Sequence, residues 1–205
     1  MVDLWRFEKK AREDGFFRIA GVDEAGRGPL AGPVVSAAVI LSDSFPDVSV
    51  ADSKQLTPLK RERFYHRIYE DALSIGIGIV DSVEIDRINI LQASLLSMTI
   101  AVRNLSPVPD CILIDGNHSI SCNLPQRTIL KGDALSISIG AASIIAKVTR
   151  DRLMERYHSD YPQFDFIRHK GYPTQAHKSA IRRFGCTPIH RKTFRGVREY
   201  LMPDQ

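Results

Sequence analysis

Gly21-Val22-Asp23-Glu24-Ala25-Gly26-Arg27-Gly28-Pro29-Leu30-Ala31-Gly32-Pro33 sets two carboxylates at the end of an apolar run and follows them with a loop rich in glycine and proline. The residues leading into it, 17–23, are short, apolar and bounded by turn formers, the pattern of a strand. The residues leading out, 34–41, repeat that pattern, so the loop joins two strands although it lacks a two-residue hairpin signature. Residues 73–80 give a third strand. Between the second and third lies a helix running from Pro58 to about Ala72. Thr57 suits its N-cap and Pro58 its first position, where a missing N–H costs nothing.

Further along, Ile85, Ile88, Leu91, Leu95, Met98 and Val102 recur at three- and four-residue spacing, which specifies a helix from Asp81 to near Asn104, ahead of Pro107 and Pro109. Cys111-Ile112-Leu113-Ile114-Asp115-Gly116 reads as a buried strand that ends on a carboxylate. Residues 127–130 form a further short strand. It leads through Lys131-Gly132-Asp133 to a long helix over about 138–157, whose small early residues suit close packing on a sheet. Thr174 caps a last helix that reaches Phe184. Strands first and strand–helix alternation afterwards specify a mixed α/β sheet flanked by helices. One domain over 1–205 is expected, with a basic helical portion at about 160–205.

The chain has 205 residues, 43% of them hydrophobic, enough for one sizeable core. Charges interrupt the first ten residues, and no run approaches the roughly 20 apolar residues of a bilayer span, so a soluble cytoplasmic protein without a membrane partner is expected. Cys111, Cys122 and Cys186 show no zinc-like spacing and read as free thiols. The net charge of +4 conceals an asymmetry. Residues 147–198 carry 13 Lys or Arg against 4 Asp or Glu, a balance of +9 that leaves −5 for the rest. Such a basic quarter suits a polyanionic partner, or else a solvated helix surface.

Hydrolysing a phosphodiester requires an activated water and neutralisation of phosphate charge, and hard cations bound by several carboxylates supply both. Asp23 and Glu24 end one expected strand, Asp115 ends another, and Asp133 precedes a helix after a third. Each carboxylate stands at the mouth of an apolar segment, where burial is costly unless a cation compensates it. Taken singly, each could equally be a turn opener or a helix cap.

The ordered blocks then match a known family. The opening run, Asp52-Ser53-Lys54-Gln55-Leu56, Leu113-Ile114-Asp115-Gly116-Asn117, Lys131-Gly132-Asp133, Ala141-Ala142-Ser143-Ile144-Ile145-Ala146-Lys147-Val148-Thr149-Arg150-Asp151 and His169-Lys170-Gly171-Tyr172-Pro173-Thr174 together resemble ribonuclease HII, from about Ile19 to Arg195. The resemblance implies a ribonuclease H-like fold with a central five-stranded mixed sheet and a helical C-terminal extension. It implies Asp23, Glu24, Asp115 and Asp133 as catalytic carboxylates, the first three as ligands of Mg²⁺ or Mn²⁺. Asp151 is the alternative for the fourth place, its other reading being an ion pair with a neighbouring Arg. The implied substrate is an RNA–DNA hybrid, or duplex DNA with embedded ribonucleotides, cut on the 5′ side of a ribonucleotide to leave 3′-hydroxyl and 5′-phosphate ends by two metal ions.

RNA is told from DNA by its 2′-hydroxyl. Gly26, Arg27 and Gly28 suit that task, since glycine lets backbone approach a sugar and Arg brings a fork of donors; a plain glycine-rich turn is the other reading. By resemblance this loop contacts the 2′-hydroxyl, and Tyr172 packs on the neighbouring deoxyribose. Lys54, Ser143, Lys147, His169 and Lys170 are expected phosphate contacts. An integrase or resolvase would share the acidic cluster without needing this loop, and a non-catalytic hybrid binder would not need the acids. Nothing in the pattern requires an oligomer or an obligate protein partner, so a monomer is expected.

Overall fold

A computed structural model describes residues 3–46 and 57–201. Its strands are β1 (Ile19–Ala25), β2 (Val34–Leu41), β3 (Ala72–Val80), β4 (Cys111–Asp115) and β5 (Gln126–Ile129). They form one sheet in the order β3-β2-β1-β4-β5. β1 pairs antiparallel with β2 and parallel with β4; β2–β3 is antiparallel and β4–β5 parallel. The mixed five-stranded sheet is thus as expected.

The helices are α1 (Arg6–Glu13), α2 (Pro58–Asp71), α3 (Ser82–Arg103), α4 (Gly132–Leu135), α5 (Ile137–Asp160), α6 (Phe166–His169) and α7 (Gln175–Phe184). The caps follow the sequence chemistry: Thr57, Asp81 and Thr174 each accept a hydrogen bond from a backbone N–H in the first turn of α2, α3 and α7. α3 departs from an unbroken helix at Asn89, whose φ of 67° interrupts it and whose Oδ1 accepts from the N–H groups of Leu91 and Gln92. Asn tolerates the left-handed region and restarts the helix as a cap, a local event that hydrophobic spacing does not register.

Strand alternation divides the core between two faces. Ala20 and Val22 of β1 and Ile112 and Ile114 of β4 pack with Met98, Ala101 and Val102 of α3. On the opposite face Ile19, Cys111 and Leu113 pack with Ile139 of α5 and Ala11 of α1, while Ala37, Val39 and Ile68 pack along the middle of α5. Gly21 allows α5 to lie directly on β1, since a Cβ there would overlap the backbone of Ser138 and Ile139. Contrary to the expectation from composition, α3 is long and apolar enough to pass a membrane-span criterion. It serves here as a core helix, buried against the sheet. Helix α1 was not expected from the sequence. The buried carboxylate of Glu8 accepts from the hydroxyls of Ser136 and Ser138, both at 2.6 Å, and so pins α1 to the start of α5.

Candidate active site

Parallel pairing of β1 with β4 runs from Ile19–Cys111 to Val22–Ile114, so Asp23 and Asp115 come next in register at the C-terminal ends of neighbouring strands. With a period of two they share the α5 face, one strand spacing of about 5 Å apart, while Glu24 points to the α3 side. Asp23, Glu24 and Asp115 all line one cleft of about 430 Å³, faced by Gly26, Arg27, Gly28, Ser143, Lys147 and Tyr172.

Asp23 is 4% exposed and accepts from the Glu24 N–H at 2.7 Å. Burial first, and then the charges of Glu24 and Asp115, push its carboxyl well above the ordinary range, although a hydrogen bond from Ser143 opposes the shift. Asp115 accepts from the Gly132 N–H at 2.7 Å, and Glu24 faces Arg27 at 3.2 Å. Among the described residues no three Asp, Glu, His or Cys side chains yet stand close enough to hold an ion between them. The chemistry of the donor set nevertheless fits a hard divalent cation. It is all oxygen, and beyond the effect of burial the charges of Glu24 and Asp115 also raise the affinity of Asp23 for a positive partner.

The opposite wall is the loop 26–33, held by two buried arginines that the sequence reading missed. Arg191 donates to the carbonyls of Gly26 at 2.6 Å, Arg27 at 2.9 Å and Gly32 at 2.9 and 3.0 Å. Arg150 donates to Ala31 at 3.1 Å, Pro33 at 3.0 Å and Lys170 at 3.0 Å. The two side chains are 0% and 1% exposed, and burial lowers their pKa to about 9 and about 10, which leaves both charged at neutral pH. Burying a charge costs several kcal/mol, and hydrogen bonds to a charged donor return about 1.5–3 kcal/mol each, so three or more carbonyls per guanidinium are what make the burial tolerable. One signal was readable: Ala142, Ala146, Arg150 and Met154 recur every four residues, which puts an Arg on the buried stripe of α5.

Tyr172 is 43% exposed, and its Cε1 lies 3.6 Å from the position a Cβ on Gly28 would take. Its backbone is fixed at both ends. The Tyr172 N–H donates to the His169 carbonyl at 2.9 Å, and its own carbonyl accepts from the Thr174 N–H at 2.8 Å. A second bond to that carbonyl ends a histidine relay. Thr187 N–H donates to Nδ1 of His190, which leaves His190 Nε2–H to donate to His177 Nε2 at 3.1 Å, and His177 Nδ1–H to donate to Tyr172 O at 3.0 Å. Burial lowers both histidines to about 4.

The structure gathers Asp23, Glu24, Asp115, Gly26, Arg27, Gly28, Ser143, Lys147 and Tyr172 at the cleft. Asp133 does not line it; it is 5% exposed, in the first turn of α4 and next to the Gly132 that engages Asp115. His169 is corrected as a phosphate contact: the ring is buried, Nε2–H donates to Phe164 O at 2.7 Å and Nδ1 accepts from Gly171 N–H. Lys170 is not among the residues lining the cleft, and its ammonium pairs with Glu155 at 2.8 Å, so the structure does not place it with the acids. Ser143 faces the cleft but bonds Asp23, a role beside the acids rather than a simple phosphate contact. Asp151 pairs with Lys147 at 2.7 Å and not with an Arg. Lys54 lies outside the described residues. Arg61, on the cleft wall, was not anticipated.

The family model for ribonuclease HII matches residues 20–197. The chain belongs to the ribonuclease HII family. A ribonuclease HII of Geobacter sp. (strain M21) is 57% identical over 200 residues, 98% of this chain and 87% of that relative. Among solved structures, the ribonuclease H2 of Pyrococcus horikoshii OT3 aligns with a TM-score of 0.76 at 30% identity, covering 90% of this chain and 97% of its own. The Bst ribonuclease HIII, crystallised in complex with Mn²⁺, shares the fold at a TM-score of 0.67 and 21% identity, with 93% of this chain and 71% of its own covered. As a ribonuclease HII, the chain is an endoribonuclease of the ribonuclease H type, acting on RNA–DNA substrates.

Proposed function

We propose that the enzyme hydrolyses the phosphodiester on the 5′ side of a ribonucleotide, in RNA–DNA hybrids and at single ribonucleotides embedded in duplex DNA, leaving 3′-hydroxyl and 5′-phosphate ends. One observation carries this reading: a single cleft sets three carboxylates against a glycine loop whose edge is covered by Tyr172. Asp23, Glu24 and Asp115 would hold two divalent cations, Mn²⁺ or Mg²⁺, which supply an activated water and neutralise charge on the attacked phosphate. The Mn²⁺ bound by the Bst ribonuclease HIII supports that choice of ion.

Ser143 fixes the Asp23 carboxylate by donating to it, and the Gly132 N–H fixes Asp115. The loop 26–28 brings backbone donors and acceptors within reach of a ribose 2′-hydroxyl, the group absent from DNA. Tyr172 offers a half-exposed aromatic face on which the next deoxyribose packs, and Lys147 and Arg27 attract the phosphates. Asp133 is the fourth carboxylate of this reading, next in sequence to the Gly132 whose N–H engages Asp115. To test the reading, a 5′-labelled duplex with one ribonucleotide is digested in Mn²⁺ or Mg²⁺ and its ends are mapped. A cut on the 5′ side with a ligatable 5′-phosphate is expected; a cut on the 3′ side, or a 3′-phosphate, would overturn it.

A further inference from the structure

The two buried guanidinium groups do more than close a turn. In a planar trans peptide the C=O of one residue and the N–H of the next point in opposite directions. Arg191 draws the carbonyls of Gly26 and Arg27 inward, so the N–H groups of Arg27 and Gly28 are turned outward, toward the cleft these residues line. Neither N–H donates to any described protein group, whereas the neighbouring amides of Leu30 and Gly32 are tied to Gly171 and Ile189. The glycine at position 26 belongs to the same device. Its φ is +100°, and a Cβ there would collide with Nε of Arg150. Arg150 fixes the far limb of the loop through Ala31 and Pro33, and through the Lys170 carbonyl it fixes the segment that leads to Tyr172.

No described Asp or Glu pairs with either guanidinium, since all their hydrogen bonds go to backbone carbonyls. A loop needing only to turn would not require two buried guanidinium groups with no carboxylate in hydrogen-bond contact, Asp86 and Asp151 acting on Arg191 and Arg150 only through space. A planar fork with up to five donors can hold several carbonyls in one orientation, which a lysine ammonium cannot. We infer that Arg191, seconded by Arg150, is the positioning residue for sugar discrimination: by fixing the Gly26 and Arg27 carbonyls it aims the Arg27 and Gly28 amides at the ribose 2′-hydroxyl. This inference rests on the proposed reading of the cleft as a ribonucleotide site.

The test measures affinity in EDTA, so that nothing is cut, for a duplex with one ribonucleotide and for the all-DNA duplex of the same sequence, using wild type, Arg191→Lys and Arg150→Lys. The ratio of the two affinities is unaffected by a partly unfolded sample, because misfolding lowers both equally. The ratio should fall at least about tenfold in Arg191→Lys, as when a site built to bond a hydroxyl loses that bond, and by less in Arg150→Lys. In wild type, amide exchange at Arg27 and Gly28 should slow with the ribonucleotide duplex and not with DNA, a readout that survives if a variant fails to fold. A preserved ratio in a folded Arg191→Lys, or unprotected amides in wild type, would overturn the inference. Wild type that binds both duplexes equally would instead overturn the ribonucleotide reading itself.

Discussion

The two walls of the cleft are built in opposite ways. On the acidic wall, Asp23 and Asp115 are placed by strand register, each at the end of a run whose apolar character is visible in the chain. On the loop wall, the carbonyls of Gly26, Arg27 and Gly32 are held by Arg191 and those of Ala31 and Pro33 by Arg150, side chains more than a hundred residues away. The first wall sets its acids by strand register alone, although burial and the neighbouring charges of Glu24 and Asp115 make the charge on Asp23 costly. The second is a loop with positive φ at Gly26 and Gly32, whose carbonyls are held by distant guanidinium groups and whose Leu30 and Gly32 amides are held by Gly171 and Ile189.

Substitutions separate the walls. Asp115→Asn should lower kcat/KM by about a thousandfold or more while duplex affinity stays within a few-fold, because a ligand is lost and the cleft is otherwise intact. Retained cleavage would remove Asp115 from the metal site. Gly26→Ala attacks the other wall. A left-handed φ and a collision with Arg150 should cost about 2–4 kcal/mol of stability and displace the loop enough to slow cleavage about a hundredfold. Denaturant unfolding and single-turnover kinetics read the two effects separately.

The contrast also explains how much could be read in advance. The first three strands, the caps at Thr57 and Thr174, and the strand-end acids are local patterns, and they reappear in the structure with shifts of one or two residues at most. The roles of Arg150 and Arg191 are relations between segments far apart, and a lone Arg in a sequence gives no sign that its partners are carbonyls. His169 and Lys170 misled for the same reason. Both stand in a block beside Tyr172, but the tight turn there sends one ring into the core and the other side chain to Glu155. α1 escaped notice because it has no side-chain cap and is short and highly charged, so it depends on Glu8 docking under α5.

Smaller effects probe how the loop wall is braced. Tyr172→Ala should slow cleavage at a single embedded ribonucleotide by about 10- to 100-fold, the value of one lost stacking surface, with less effect on a long hybrid. Equal rates on the first substrate would remove that role. The relay through His177 and His190 should appear as acid sensitivity. Their folded pKa values of about 4 lie below the ordinary 6.5, so the unfolded chain takes up protons first as pH falls. Stability is therefore full above about pH 6.5 and is lost toward pH 4, by up to roughly 3 kcal/mol for each histidine. Melting temperature against pH measures it; a flat profile between pH 6.5 and 4 would contradict the neutral relay.

The coupling of the walls, with phosphodiester chemistry at one only where the other finds a 2′-hydroxyl, is tested most directly by single-turnover cleavage in Mn²⁺. One duplex carries a single ribonucleotide and its twin carries 2′-fluoro at the same sugar. The ribonucleotide duplex should be cut at least about a thousandfold faster, in keeping with sites that reject a substrate lacking its hydroxyl. Rates within a few-fold of each other would contradict the coupling.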